Sequence, residues 1–236
     1  MTYVKERYEC QEVFDKKIIS NILVPSKSEV HPPAENVELY REMVLKNEAM
    51  LSGHVEELNN RHTAFHLKFS RVGADRNSVD KLGEDIHKLL KIKPQRVFGP
   101  VSAGGLLAYP INSLFEGECG YFDIDSKCLP NSVRDGYEIR NGENVLIVND
   151  IYTFNDPCIQ RMMNLVNSNG GKAIGIAVFA TRGEGAADYL DSFSRIHKIP
   201  ALSLAHLDIE SFDSGSCRMC SSGHKPTTLR TLAYNS

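Results

Sequence analysis

The chain predicts an α/β protein whose parallel sheet is covered by helices on both faces. Three observations point there. Val145-Leu146-Ile147-Val148 and Ala173-Ile174-Gly175-Ile176-Ala177-Val178-Phe179 are continuous apolar runs of strand length, as expected of strands buried on both faces. Amphipathic helical patterns alternate with such runs over residues 77–204. The run 145–148 leads through Asn149 and Asp150 into a polar turn ahead of the next helical pattern. Ligands of open α/β sheets lie beyond the carboxyl ends of the strands, so residues 149–158 are the first place to look for a site.

Residues 1–34 are polar with scattered apolar groups and read as an amino-terminal arm, closed by Ser28-Glu29-Val30-His31-Pro32-Pro33. Val37, Leu39, Tyr40, Met43, Val44, Met50 and Leu51 recur at helical spacing and predict one helix from Glu35 to about Ser52. Residues 63–70 alternate strictly: Phe65, Leu67 and Phe69 face a core, while His66, Lys68 and Ser70 face outward, which makes a solvated strand face the favoured reading for Lys68. Asn77 is the candidate N-cap of a helix marked by Val79, Leu82, Ile86, Leu89 and Leu90 and ended before Pro94.

A short strand at 96–98 runs into the small-residue loop Val101-Ser102-Ala103-Gly104-Gly105, then an apolar helix through Leu106, Leu107 and Ile111. Glycines at such a turn permit positive φ and let backbone amides approach an anion. Gly120–Ile124 is another strand, and 125–135, with Lys127, Pro130 and Arg134, a mobile loop or hairpin. Beyond the central strand come a helix from Pro157 to about Ser168 stopped by Gly170-Gly171, the strand 173–179 with Thr181-Arg182-Gly183 at its carboxyl edge, and a last strand at 201–204. There is no internal repeat.

With 236 residues the chain suffices for one large domain and a substantial core, and its formal charge of −3 includes no concentrated basic stretch, so nucleic acid is not indicated. No apolar run reaches membrane-spanning length and the amino terminus is charged from the start, which predicts a soluble, cytoplasmic protein with reduced cysteines. Cys217 and Cys220 are half a zinc site and His224 offers a third ligand; a closed site needs a fourth, so an unmetallated tail is the favoured reading.

Several of these loops occur together in a familiar order. Val97-Phe98-Gly99-Pro100-Val101-Ser102-Ala103-Gly104-Gly105, Asp135-Gly136-Tyr137-Glu138-Ile139, Gly142 through Asp150, Gly170-Gly171 through Val178, and Arg182 resemble the type I phosphoribosyltransferases, and within them the orotate phosphoribosyltransferase group. The tail Cys217-Arg218-Met219-Cys220 resembles a cysteine-containing tail of some members.

The resemblance implies a type I phosphoribosyltransferase-like parallel sheet with a small hood formed by flanking segments. It divides the chain into an arm and helix (1–52), a phosphoribosyltransferase-like domain (53–210) and a tail (211–236). It further implies a homodimer, Mg2+, a nucleotide-sugar substrate or analogue, and displacement of pyrophosphate from phosphoribosyl diphosphate by a nitrogenous base. Carried over by position, Val101, Ser102, Ala103, Gly104 and Gly105 cradle pyrophosphate and Lys127 meets the leaving group. Asn149, Asp150, Thr153, Phe154, Asn155 and Asp156 form the ribose and phosphate loop, with Asp150 on the ribose hydroxyls. Arg182 and Lys68 meet the base.

The chain also departs from the family pattern. Asn149 replaces one of two ribose-binding acids, and Thr153-Phe154-Asn155-Asp156-Pro157 replaces a Thr- and Gly-rich phosphate loop. Pro157 has no N–H, and Asp156 sets a negative charge where a dianion should bind; two unit charges ~4 Å apart repel by roughly 1 kcal/mol in water and about 4 at an effective dielectric of 20. Asp-Pro is also a favourable helix start, so the chain is expected to cap this helix with its own side chain. Asp123 and Asp125 add negative charge where members are often basic. Two readings follow: an orotate-type transferase with a rebuilt loop, or a divergent binding or regulatory protein, or an enzyme for a less phosphorylated substrate.

Overall fold

The structure is a computed structural model that describes residues 11–228 apart from 14, 58, 59 and 102. Ser102 therefore lies outside the described residues, as do the first ten residues of the expected arm. In chain order the elements are β1 (Gln11–Glu12), α1 (Lys16–Ile22), β2 (Leu23–Pro25), α2 (Asn36–Lys46), β3 (Met50–Glu56), β4 (Arg61–Leu67), α3 (Phe69–Ala74), α4 (Arg76–Leu89), β5 (Arg96–Pro100), a 3-10 turn (Ala103–Leu107), α5 (Ala108–Phe115), β6 (Glu118–Ile124) and β7 (Pro130–Val133). They continue with β8 (Asn144–Thr153), α6 (Pro157–Ser168), β9 (Lys172–Arg182), α7 (Ala186–His197), β10 (Ala201–Leu207), β11 (Ser211–Asp213), α8 (Arg218–Ser221) and β12 (Thr227–Thr228).

The large sheet has the order β2-β10-β9-β8-β5-β6-β7, with β10, β9, β8, β5 and β6 parallel and the two edge strands antiparallel. Val145 to Val148 are fully buried because β8 has a core on each face: Leu146 and Val148 pack with Ile86, Leu107 and Ile111, while Val145 and Ile147 pack with Ile159, Met162 and Leu190. The expected parallel sheet with helices on both faces is what the chain forms.

The small sheet is built from β1, β3, β4 and β11, with β12 added beside β3. Flanking segments from both ends of the described chain thus make the hood. The expected boundary at 52/53 falls inside β3, and the tail strands pair with β3 and β4 instead of standing apart.

Four local expectations are corrected. Met50 and Leu51 begin β3: helix α2 ends at Lys46, and Glu48, at φ 51°, turns the chain. The N-cap position of α4 is Asp75, whose carboxylate accepts from Ser78 Oγ at 2.6 Å, and Asn77 lies within the helix. Strand β4 ends at Leu67, so Phe69 opens α3 instead of continuing the alternation. Helix α7, which buries Ala186, Ala187, Leu190 and Phe193, was not anticipated.

Gly104 and Gly105 do not adopt positive φ. Their need is space: a Cβ on Gly104 would lie 2.3 Å from Asn149 Oδ1 and 2.9 Å from Asp150 N, and one on Gly105 would lie 2.2 Å from Pro100 O. Gly104→Ala is expected to destabilise the protein by roughly 1–3 kcal/mol through overpacking against backbone, read as a lower urea midpoint at unchanged slope; an unchanged midpoint contradicts the close approach.

Candidate active site

Strand β8 runs past Asp150 and pairs Thr153 with Arg182 of β9, so Asp150 lies within the strand, ahead of its end. Asn149 is buried, and its Nδ2 donates to Ile151 O at 3.1 Å. Asp150 is half-buried, and its carboxyl pKa is pushed up to about 6, chiefly by burial; Asp156 raises it further, while the backbone N–H of Ile151 and the Arg182 charge oppose the rise. Asp150, Asp156 and Arg182 thus share one electrostatic neighbourhood.

The loop after β8 is short and self-satisfied. Asp156 N donates to Thr153 O at 3.1 Å, and Asn155 takes the left-handed conformation at φ 58° that Asn tolerates. Asp156 is the N-cap of α6, accepting from Cys158 N at 2.8 Å, with Pro157 in the first turn. Two positions that could offer backbone donors to a phosphate are therefore closed: Pro157 has no N–H and the N–H of Cys158 is already taken. Burial raises the Asp156 pKa, and the donor at Cys158 and the Arg182 charge oppose that rise. Phe154 is exposed and tilts against Tyr189 at 5.2 Å between ring centroids, and Tyr189 stacks on Tyr152 at 6.1 Å.

Arg182 has an internal partner. Its Nη2 lies 2.6 Å from Oε1 of Glu57, just beyond β3, and only 9% and 3% of the two side chains are exposed. The contact is an ion pair without the alignment of a hydrogen bond. Burial raises the pKa of Glu57, and Arg182 is the main opposing influence.

Lys68 follows β4 and is half-buried; burial first, then Arg71, lowers its pKa, so the solvated strand face is corrected. His66 stands two residues earlier. Its pKa is pushed down to about 3 by burial, with Arg182 and Lys68 adding to the fall, and its Nδ1 is buried without a hydrogen-bond partner. The strand alternation put His66 and Lys68 on one face, and only the fold brings His66 into the field of Arg182. His66 and Glu57 are neighbours of Arg182 that the sequence reading missed.

The remaining candidates are placed as follows. Val101 is exposed, and its N–H donates to Phe122 O at 2.8 Å, so that donor is committed to the sheet. Ala103, Gly104 and Gly105 begin the 3-10 turn, whose leading N–H groups have no partner within the turn itself. Lys127 is exposed at the tip of the β6–β7 hairpin. Asp125 closes that tip, accepting from Lys127 N at 2.7 Å and Leu129 N at 3.0 Å, and Asp123 pairs with Arg134 at 2.8 Å; both acids are structural parts of the hairpin.

Cys217 and Cys220 gather with His54 and His62, whereas His224 contributes its backbone carbonyl to His54 Nδ1 at 2.8 Å. His224 is thus corrected as the third ligand. A cavity of about 530 Å³ opens at the amino ends of β5 and β6, lined by Arg96, Glu118, Tyr137 and Arg140. It lies at the end of the sheet away from Asp150, and both of its arginines pair with Glu118, Arg140 at 3.1 Å.

The raised pKa of Asp150 has a definite sign. The folded chain holds this proton to about pH 6, whereas an unfolded chain releases it near ~4. The contribution to stability is complete below pH ~4 and is lost as pH rises toward 6, above which ionised Asp150 costs at most about 3 kcal/mol. Asp150→Asn is expected to raise the melting temperature at pH 7 and to flatten its pH dependence between pH ~4 and 6; an unchanged pH profile would remove Asp150 as its source.

No family model matches the chain. Among known proteins it is 25% identical over 185 residues to the orotate phosphoribosyltransferase of Campylobacter jejuni, covering 75% of this chain and 90% of that one. It is 23% identical over 186 residues to that of Thermotoga maritima, covering 78% and 94%. The solved orotate phosphoribosyltransferase of Aeropyrum pernix superposes with a TM-score of 0.54 at 20% identity, over 69% of this chain and 92% of that one. That of Mycobacterium tuberculosis in complex with inorganic phosphate gives 0.51 at 19%, over 72% and 92%. By sequence the chain is similar to orotate phosphoribosyltransferases, and its fold is that of the type I phosphoribosyltransferases.

Proposed function

We propose that the chain takes a ribosyl ligand over Asn149, Asp150 and the glycine turn, and that its reaction class is phosphoribosyl transfer of the orotate type. In that reaction a nitrogenous base displaces pyrophosphate from C1 of phosphoribosyl diphosphate. The observation that supports the reading is the direct packing of Gly104 on Asn149 and Asp150, in a chain that aligns with 90% of the Campylobacter jejuni orotate phosphoribosyltransferase. Asp150 would hold the ribose hydroxyls and place negative charge near the electron-poor C1, the 3-10 turn would face the pyrophosphate, and Lys127 would approach the leaving group from the hairpin.

Magnesium fits this donor set. Among the described residues no carboxylate-only group of three forms a protein cage; the cluster that does form is the His–Cys group. Asp150 would supply a hard oxygen, with ligand pyrophosphate and water completing the shell, and the ion would neutralise charge on the leaving group. A cytoplasmic homodimer is the setting the resemblance implies.

A second reading, binding without ordinary transfer or action on a less phosphorylated substrate, is favoured by a specific observation. The anions that phosphoribosyl diphosphate and an acidic base would bring are already matched by Asp156 at the helix terminus and Glu57 on Arg182. The two readings separate by calorimetry with phosphoribosyl diphosphate and magnesium, with orotate and with both, followed by an assay of pyrophosphate release. Micromolar binding with release supports transfer, and absent binding supports the second reading.

Under either reading, Asp156→Gly with Pro157→Thr is expected to tighten phosphoribosyl diphosphate tenfold or more, about 1.4 kcal/mol. Unchanged affinity means that this loop does not meet the 5-phosphate. Glu57→Gln should likewise strengthen orotate binding while leaving a neutral base unaffected; equal effects on both would remove Arg182 from base recognition.

A further inference from the structure

The small sheet carries a second cluster of chemistry-bearing side chains that the proposed transfer does not use. His54 is on β3, His62 on β4, and Cys217 and Cys220 flank the start of α8 in the tail. Their four ligand atoms all lie within 4.8 Å of one another. Nε2 of His54 is 2.9 Å from Nδ1 of His62 and 3.4 Å from Sγ of Cys217; Sγ of Cys220 is 3.2 Å from Nδ1 of His62 and 3.7 Å from Nε2 of His54.

These are close to the edges of a coordination tetrahedron. With Zn–N of about 2.0–2.1 Å and Zn–S of about 2.3 Å, ideal geometry puts two nitrogens roughly 3.4 Å apart, nitrogen and sulfur roughly 3.6 Å apart, and two sulfurs roughly 3.8 Å apart. The four groups already surround a point.

We propose that His54, His62, Cys217 and Cys220 bind one zinc ion, which clamps the carboxyl-terminal segment to the hood. The tautomer of His54 agrees with this. His54 Nδ1 lies 2.8 Å from the His224 carbonyl, so Nδ1 carries the hydrogen and donates, leaving the Nε2 lone pair pointed at the cluster. The backbone agrees too. The β3–β4 register shifts between Ser52 and Val55, and such a bulge at Gly53-His54 aims His54 across the strand pair toward His62. His62 pairs directly with Phe212 of β11, so the tail reaches Cys217 within a few residues. Cys217 and Cys220 are not joined to each other as a disulfide.

Charge selects the ion. Two thiolates balance a dication and the imidazoles stay neutral, so the loaded site is uncharged and compatible with the full burial of Cys217. Binding to the two thiols releases two protons to solvent. A tetrahedral set of two nitrogens and two sulfurs is a zinc donor set.

The test is metal analysis of the full-length protein purified without chelator. One zinc per chain is expected, falling to background in Cys217→Ser with Cys220→Ser and in His62→Ala, and retained in His224→Ala, whose ring is outside the four. Because the first variants could fail to fold, cobalt is also exchanged into the unmodified chain, where tetrahedral d–d bands and a thiolate-to-cobalt charge-transfer band are expected. Wild-type protein free of zinc that gives no tetrahedral cobalt spectrum overturns the site, as does undiminished zinc in the double serine variant. A Cys217–Cys220 disulfide in freshly purified protein, seen as a loss of two hydrogens by mass, overturns it as well.

Discussion

Strand β8 imposes the constraint from which the rest of the site follows. With an apolar core on each face, residues 145–148 can accommodate no charge, and every ionisable group of this strand is displaced to its last residues. There the groups remain partly desolvated, so they must compensate one another. Arg182 is the centre of that compensation: it opposes the burial of Asp150, Asp156 and Glu57, and it helps keep His66 neutral.

This balance explains why the departures from the family pattern belong together. A site that awaits a phosphate and an acidic base needs surplus positive charge and unspent backbone donors. Here Cys158 N is spent on Asp156, and Arg182 on Glu57. Each compensation stabilises the empty site and lowers what an anionic ligand can gain, since the ligand must displace a buried carboxylate or lie beside one. Asp156 and Glu57 come from different parts of the fold, one from the loop between β8 and α6 and one from the hood, so the same electrostatic solution is reached twice.

The self-capped helix was legible in the sequence because capping is local: Asp156 and Pro157 are adjacent and their effect reaches only to Cys158. The apolar runs were legible because burial on both faces leaves a continuous hydrophobic signature. Glu57 was not, because one of two adjacent acids, Glu56 and Glu57, looks solvated until the hood brings it to Arg182. The helical reading of Met50 and Leu51 failed because their spacing from Met43 and Val44 is itself helical, while the break at Glu48 rests on a left-handed backbone that a glutamate does not advertise. Helix α7 was missed because two of its buried positions, Ala186 and Ala187, carry little hydrophobic signal. The metal ligands come from two regions far apart in the chain, the β3–β4 hairpin and the tail, and Cys-x-x-Cys marked only the second.

The hood now connects the two sites. Its strand β3 carries His54 and leads directly to Glu57, while β4 carries His62 at one end and His66 toward the other, with Lys68 just beyond it. The tail adds β11 to one strand and β12 to the other, and Arg61 fastens it through Ser211 Oγ at 2.8 Å and Asp213 at 3.0 Å. A sheet this small gains limited stability from apolar burial alone, and a bound ion joining β3, β4 and the tail would supply part of what its core lacks. Glu57, the partner of Arg182, would then owe its position to a clamp a few residues away on the same β3–β4 hairpin. A buried arginine matched by the chain's own carboxylate needs that carboxylate held in place, and the hood is where Glu57 is held.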